Sequence, residues 1–301
     1  MIFDAHTHFF GREFYDFQTT LVDGREPETT LERIRAGGLE VPGPDAATHA
    51  ARWMRELDRH RIARTLLFAS VPPELIVVGE VAAASDGRFV PFCTVNPMVP
   101  ATLTALNGVQ PRFGFRGMLL FPAMHDYSIQ APEVTAALEV AKANDMVVFV
   151  HCGKLRIGVR QLIGLNPDFP AERSRPRDVA AVARAHRDVA FIVPHFGAGY
   201  FEEALDLAAA YHNVYLDTAG SHDWAAEHTP PLSPTDVFGH AKDAIGTERI
   251  LFGSDSGVFP RGYRGDILLA QIDAMMDAGY SASERDAVLG GNLSRLLGQM
   301  R

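Results

Sequence analysis

The sequence predicts a closed (β/α)8 barrel spanning residues 1–301 as one domain, and three observations predict it. Eight short apolar runs alternate with amphipathic helical stretches along the chain. Most of those runs lack in–out alternation, as strands covered on both faces do. No Gly-x-Gly-x-x-Gly follows the first run, which disfavours an open doubly wound sheet. A length of 301 residues is slightly above the ~250 typical of such a barrel.

The expected strands are 2–6, 63–69, 89–95, 114–121, 146–151, 190–195, 214–218 and 249–254. Between them the pattern predicts helices. In 45–59, Trp53, Met54 and Leu57 form an apolar stripe, and in 132–144 Pro132 sits where a missing N–H costs little. Helices 178–187, 201–211 and 234–245 follow, the last with Ser233 as N-cap ahead of Pro234. After the eighth strand come 266–278 and 282–297, while 73–85 and 101–109 carry weaker signals. Three long connections follow strands, at 9–44, 153–177 and 219–233, and read as lids or binding loops at the active face. The first carries Phe9, Phe10, Phe14, Tyr15 and Phe17, which either cover an apolar ligand or plug the barrel mouth.

Composition bounds the function. Hydrophobic residues make up 47% and charged residues 22%, the balance of a soluble globular protein. A net charge of −9 and a pI near 5.7 argue against a nucleic-acid or anionic-membrane partner. No apolar run reaches the ~20 residues of a membrane span, and no secretory leader is visible. Cys93 and Cys152 make no disulfide framework and read as core residues of a cytoplasmic protein.

Chemistry gathers at the strand ends. His6 and His8 stand two apart at the end of the first strand, so they point the same way. His151 ends the fifth strand, His195 the sixth and Asp255 the eighth, each after a run too apolar to need it. Barrel closure brings the first and eighth strands together. Five metal-ligand or acid/base residues then face one centre at the end where barrel chemistry sits. Asp217 ends the seventh strand, where it orients substrate or a ligand histidine, or simply caps a loop. Arg116, Lys154, Arg156, Arg160, Arg173 and Arg175 place positive charge in or near the active face, suited to a carboxylate. Of these, Arg116, Lys154 and Arg156 are the substrate-binding candidates. His222 and His228 lie on the seventh loop within reach of the rim. His49, His60, His186, His212 and His240 fall on helices and read as solvated outer faces.

The segments His6-Thr7-His8, His151, Pro194-His195-Phe196-Gly197 and Leu251-Phe252-Gly253-Ser254-Asp255 resemble the amidohydrolase superfamily. More narrowly, they are similar to its "amidohydrolase 2" branch, which contains aminocarboxymuconate-semialdehyde decarboxylase. Asn213-Val214-Tyr215-Leu216-Asp217-Thr218 and the tail 289–297 extend the resemblance over nearly the whole chain. The resemblance implies that His6, His8, His151 and Asp255 bind one divalent metal, zinc first and manganese next. It further implies that His195 activates the water or shuttles its proton. Three imidazoles and a carboxylate suit zinc with an open position for water. Binuclear members of the superfamily carry a lysine or glutamate on the fourth strand, whereas 115–121 here holds neither, so a mononuclear site is expected.

The implied reaction is hydrolysis of a lactone, ester or amide in a small carboxylate-bearing or aromatic substrate. Non-oxidative decarboxylation of an aromatic or unsaturated acid is the alternative, with hydration a third within the branch. An alternative of a different class is a barrel that binds a metal or ligand without catalysis and serves structure or regulation. The branch also implies homodimers.

Overall fold

A computed structural model describes residues 1–220 and 224–299, so His222 lies outside the described residues. Eight parallel strands follow one another around a nearly closed barrel. They are β1 (Ile2–His8), β2 (Ile62–Ala69), β3 (Phe89–Thr94), β4 (Gly117–Leu120), β5 (Val147–Val150), β6 (Phe191–Val193), β7 (Val214–Asp217) and β8 (Ile250–Leu251). Regular ladders join each strand to the next from β1 round to β8. The seam between β8 and β1 is looser. There Ala5 N–H donates to Phe252 O at 2.8 Å, Asp255 N–H to His6 O at 3.0 Å and His8 N–H to Ser256 O at 2.8 Å.

Alternation along the strands fills the barrel. Phe3, Ala5, Leu66, Phe68, Phe92, Leu119, Phe149, Ile192 and Leu251 form one buried cluster inside it. The opposite faces pack under the outer helices, where Trp53, Leu57, Cys93 and Cys152 lie among a larger cluster. Both cysteines are free and buried. Burying each large apolar side chain contributes about 1.5–3 kcal/mol. His49 belongs with this layer and not with a solvated face. It is 7% exposed, and its Nε2 donates to Phe9 O at 2.9 Å, beside the Phe9 and Phe259 rings.

The tail departs from the expected continuous helix 282–297. It breaks into Ala282–Asp286, an irregular turn at Ala287–Gly291 and a final helix Asn292–Gln299. Two adjacent glycines weaken helix there, and a Cβ at Gly290 would stand 2.6 Å from Met1 O. The close approach lets the chain pass beneath the barrel. Leu293, Leu296 and Leu297 then join the inner cluster as a floor, and Asn292 Nδ2 donates to Thr247 O and Ile250 O at 2.7 and 2.8 Å.

The connection 9–44 is not structureless either. It folds into helices Arg12–Thr19 and Pro27–Ala36. Their buried Phe14, Tyr15, Leu31 and Ile34 pack with Val71, Val159 and Ile163 in a satellite cluster, the last two from the connection after β5. Phe9 is spent in the outer layer. Most of the loop's aromatics therefore pack against protein, and Phe10 is the one turned to the strand-end histidines: its ring stacks on His8, centroids 4.7 Å apart.

Candidate metal centre

The centre begins with an irregularity in β1. Phe3 and Ala5 face inward, and simple alternation would send Thr7 the same way. A register shift between Asp4 and Thr7 intervenes. Thr7 instead turns outward, where its hydroxyl accepts from Thr65 Oγ1 at 2.7 Å. His6 and His8 turn to the mouth together, with ring centroids 5.3 Å apart. Asp4 pins the irregularity. Its Oδ1 accepts the N–H of His6 at 2.8 Å and of Ser254 at 3.1 Å, and its Oδ2 accepts the Tyr263 hydroxyl at 2.7 Å. Complete burial pushes this carboxyl up to about 6 against those hydrogen bonds.

Asp217 closes β7 with no exposed surface and three engagements. Its Oδ2 lies 2.8 Å from His6 Nδ1, and its Oδ1 accepts the N–H of His195 and of Ala219, both at 2.9 Å. A buried carboxylate facing His6 accepts a hydrogen bond from Nδ1–H, so Nε2 is the nitrogen that the neutral ring offers to a ligand at the mouth. Burial opposes charge on His6, but Asp217 outweighs it and pushes the imidazole up to about 9. Burial likewise opposes charge on Asp217, and His6 holds it below the usual carboxylate range.

His195 sits just past β6 in left-handed backbone (φ 58°, ψ 28°), a conformation disfavoured for a side chain of this size. The Asp217 bond to its N–H and a 2.8 Å bond from its Nδ1 to Ala219 O hold it there. A carbonyl only accepts, so Nδ1 carries the proton and Nε2 is the basic nitrogen. Gly220 makes room for the ring: its φ is +59°, and a Cβ would lie 3.1 Å from His195 Nδ1. Asp255 is also left-handed, at φ 55°. Its Oδ1 lies 3.7 Å from His6 Nε2 and 3.5 Å from His8 Nε2. Burial works against this carboxylate, but His8, His6 and His195 hold it well below the ordinary range.

The ligand atoms of His6, His8 and Asp255 all lie within 4.8 Å of one another, and those of His6, His195 and Asp217 form a second, overlapping group. His151 joins neither group, although its ring centroid is 5.2 Å from that of His195. Its other side stacks on Phe121, centroids 5.4 Å apart. Burial first, then the neighbouring imidazoles, hold it neutral, well below the usual histidine range. Its Nδ1 is buried with no hydrogen-bond partner. The donor set of His6, His8 and Asp255, with the His195 and His151 rings alongside, fits a divalent metal by its chemistry.

Each of the expected substrate-binding cations is engaged by another protein group. Arg116 is corrected outright: it precedes β4 and so stands at the opposite end of the barrel, donating to Leu297 O at 2.9 Å under the floor helix. Lys154 pairs with Glu227 at 2.6 Å, and Arg156 grips Asp168 with one nitrogen on both carboxylate oxygens, at 2.8 and 2.9 Å. Both are exposed rim pairs. Arg160, Arg173 and Arg175 bind Asn166 O, Asp126 and Glu203. His228 is held by Glu202 at 3.0 Å.

Two features at the mouth escaped sequence reading. Ser70 Oγ meets His8 Nδ1 at 2.7 Å. Its signal was alternation alone, since Leu66 and Phe68 face inward and residue 70 continues the series. Arg261, in the loop after β8, brings Nη2 to 3.5 Å from Asp255 O and carried no pattern at all.

No helix among the described residues is long and apolar enough to cross a membrane. No curated protein matches the chain. Many solved structures share the fold, three of them as follows. A protein described as a probable 2-pyrone-4,6-dicarboxylic acid hydrolase from Acinetobacter baumannii is 13% identical, with 99% of each chain covered and a TM-score of 0.62. 5-Carboxyvanillate decarboxylase from Sphingomonas paucimobilis is also 13% identical, covering 99% of this chain and 98% of its own at 0.64. 4-Oxalomesaconate hydratase from Rhodopseudomonas palustris is 14% identical, covering 99% and 96% at 0.64. The sequence profile of the amidohydrolase family, whose members are metal-dependent enzymes, matches residues 3–299. By that match, the chain belongs to the amidohydrolase family.

Proposed function

We propose that this amidohydrolase is a mononuclear metal-dependent hydrolase acting on a lactone, ester or amide of a small carboxylate-bearing substrate. The carrying observation is the convergence of His6, His8 and Asp255 ligand atoms within 4.8 Å beside His195, whose Nδ1 is committed to Ala219 O. His6, His8, His151 and Asp255 would hold the cation, with zinc first and manganese second. Such a cation, when bound, supplies Lewis acidity and lowers the pKa of a water toward ~7.

The protein's residues supply the rest. His195 Nε2 takes a proton and returns it to the leaving group, while Nδ1–H stays anchored so the ring keeps its orientation. Asp217 holds His6 by its ring and His195 by its backbone, fixing their separation at 4.8 Å between centroids. Phe10 covers the outer face of His8. Arg261, beside the Asp255 backbone, takes the carboxylate-binding role in this reading. We place the enzyme in the cytoplasm, where two buried thiols stay reduced.

The same centre suits decarboxylation, and turnover separates the two. The protein, purified without chelator, is assayed for metal by elemental analysis and offered lactones, esters, amides and aromatic carboxylic acids. About one zinc per chain with lactone, ester or amide cleavage is expected. Release of carbon dioxide without hydrolysis would replace the reading with a decarboxylase. His195→Ala should keep the metal and lose about 10²–10⁴ in turnover. A variant that keeps its full rate would remove His195 from the chemistry.

A further inference from the structure

We propose that Ser70 is the positioning residue that makes His8 a ligand, a role parallel to that of Asp217 for His6 but built from a neutral group. This rests on the metal-centre reading above.

The inward series Leu66, Phe68 ends in Ser70, so β2 delivers a hydroxyl to the mouth where most of its inward neighbours are apolar. Ser70 Oγ stands 2.7 Å from His8 Nδ1. For His8 Nε2 to face Asp255 as a bare lone pair, Nδ1 must carry the proton and Ser70 must accept it. The Ser70 backbone is itself held from behind. Ser70 N–H donates to Glu74 Oε2 at 2.8 Å, and the other oxygen of that fully buried carboxyl accepts Gly11 N–H at 2.7 Å. Gly11 immediately follows Phe10, which stacks on the His8 face at 15° between ring planes. One side chain, Glu74, therefore ties down the backbone of Ser70 and of Gly11, the residue after Phe10.

The consequence is an asymmetric pair. A buried carboxylate behind His6 raises its basicity, whereas a hydroxyl behind His8 aligns the ring without adding charge. The alignment of His8 then rests on a hydroxyl and a stacked phenyl, where that of His6 rests on a carboxylate.

The test is zinc affinity, measured by competition with a chromophoric chelator, together with the melting temperature of metal-free protein. Ser70→Ala and Ser70→Cys should each weaken zinc binding about 10-fold or more, and Ser70→Thr should stay near wild type. Metal-free melting temperatures should match within error. Wild-type affinity in the alanine and cysteine variants would overturn the proposal. So would an equal loss in Ser70→Thr, which would indicate packing in place of hydrogen bonding. A wild-type protein that binds no zinc would instead overturn the metal centre itself, a separate result visible before any variant is made.

Discussion

The two ends of this barrel are built from the same strands and solve opposite problems. At the N-terminal end, Leu293, Leu296 and Leu297 close the inner cluster, and Arg116 donates to Leu297 O. At the C-terminal end, His6, His151, Asp217 and the left-handed His195 and Asp255 crowd together, most of them buried and ionisable. Burial without charge stabilises the first end. Burial of opposed charges, held by Asp4 and Asp217, costs stability at the second and leaves basic nitrogens and a carboxylate ready for a cation. Polar groups in strained backbone persist where the surroundings over-determine them. Asp217, with its three partners, is such a surrounding.

Substitutions at the two ends should break apart accordingly. The largest effect belongs to Asp255→Ala, which should abolish zinc retention and turnover together by elemental analysis and assay. Retained zinc would show that the histidines suffice. Next, Leu296→Ala under the floor should cost about 2–4 kcal/mol in denaturant unfolding, with kcat unchanged in the folded fraction. A matching fall in kcat would tie the floor to the mouth.

A smaller contrast pits arginine against arginine. Arg261→Met should raise KM for a carboxylate substrate roughly 10-fold with little change in kcat, whereas Arg116→Met should leave KM alone. Equal responses would erase the distinction between the ends.

The smallest effect concerns pH. His125, in the short helix after β4, is pushed down to about 4 by burial. It stays neutral in the fold while the unfolded chain protonates near 6.5, so stability is lost as pH falls from ~6.5 toward ~4. His125→Phe should remove on the order of 1–2 kcal/mol of that slope, read from melting temperature against pH. An unchanged slope would assign acid sensitivity to the buried carboxyls instead.

Sequence reading reached the barrel because strand-length apolar runs and helical stripes are local signals. All eight runs became strands, although 114–121 shrank to four residues and 249–254 to two. Gly114, in left-handed backbone, ends the preceding helix, and Phe252 N–H bonds Val288 O, not the neighbouring strand. The broken tail and the helical first connection were harder to read. A glycine's close approach to Met1 and a cluster shared with residues 159 and 163 depend on partners far away in sequence.

At the site, the sequence by itself determined which side chains end the strands, since alternation and strand length fix that before any folding. It placed His6, His8, His195, Asp217 and Asp255 at one face for that reason. Only the tertiary structure decided how they are used. The register shift in β1 turned the histidines inward, and Asp217 met His195 from the neighbouring strand and His6 from beyond β8. Arg116 went to the far end, because a residue just before a strand and one just after it stand at opposite ends of the barrel. Ser70 came to His8 from 62 residues away. Contacts of that range are set by closure of the whole barrel, and no local pattern carries them.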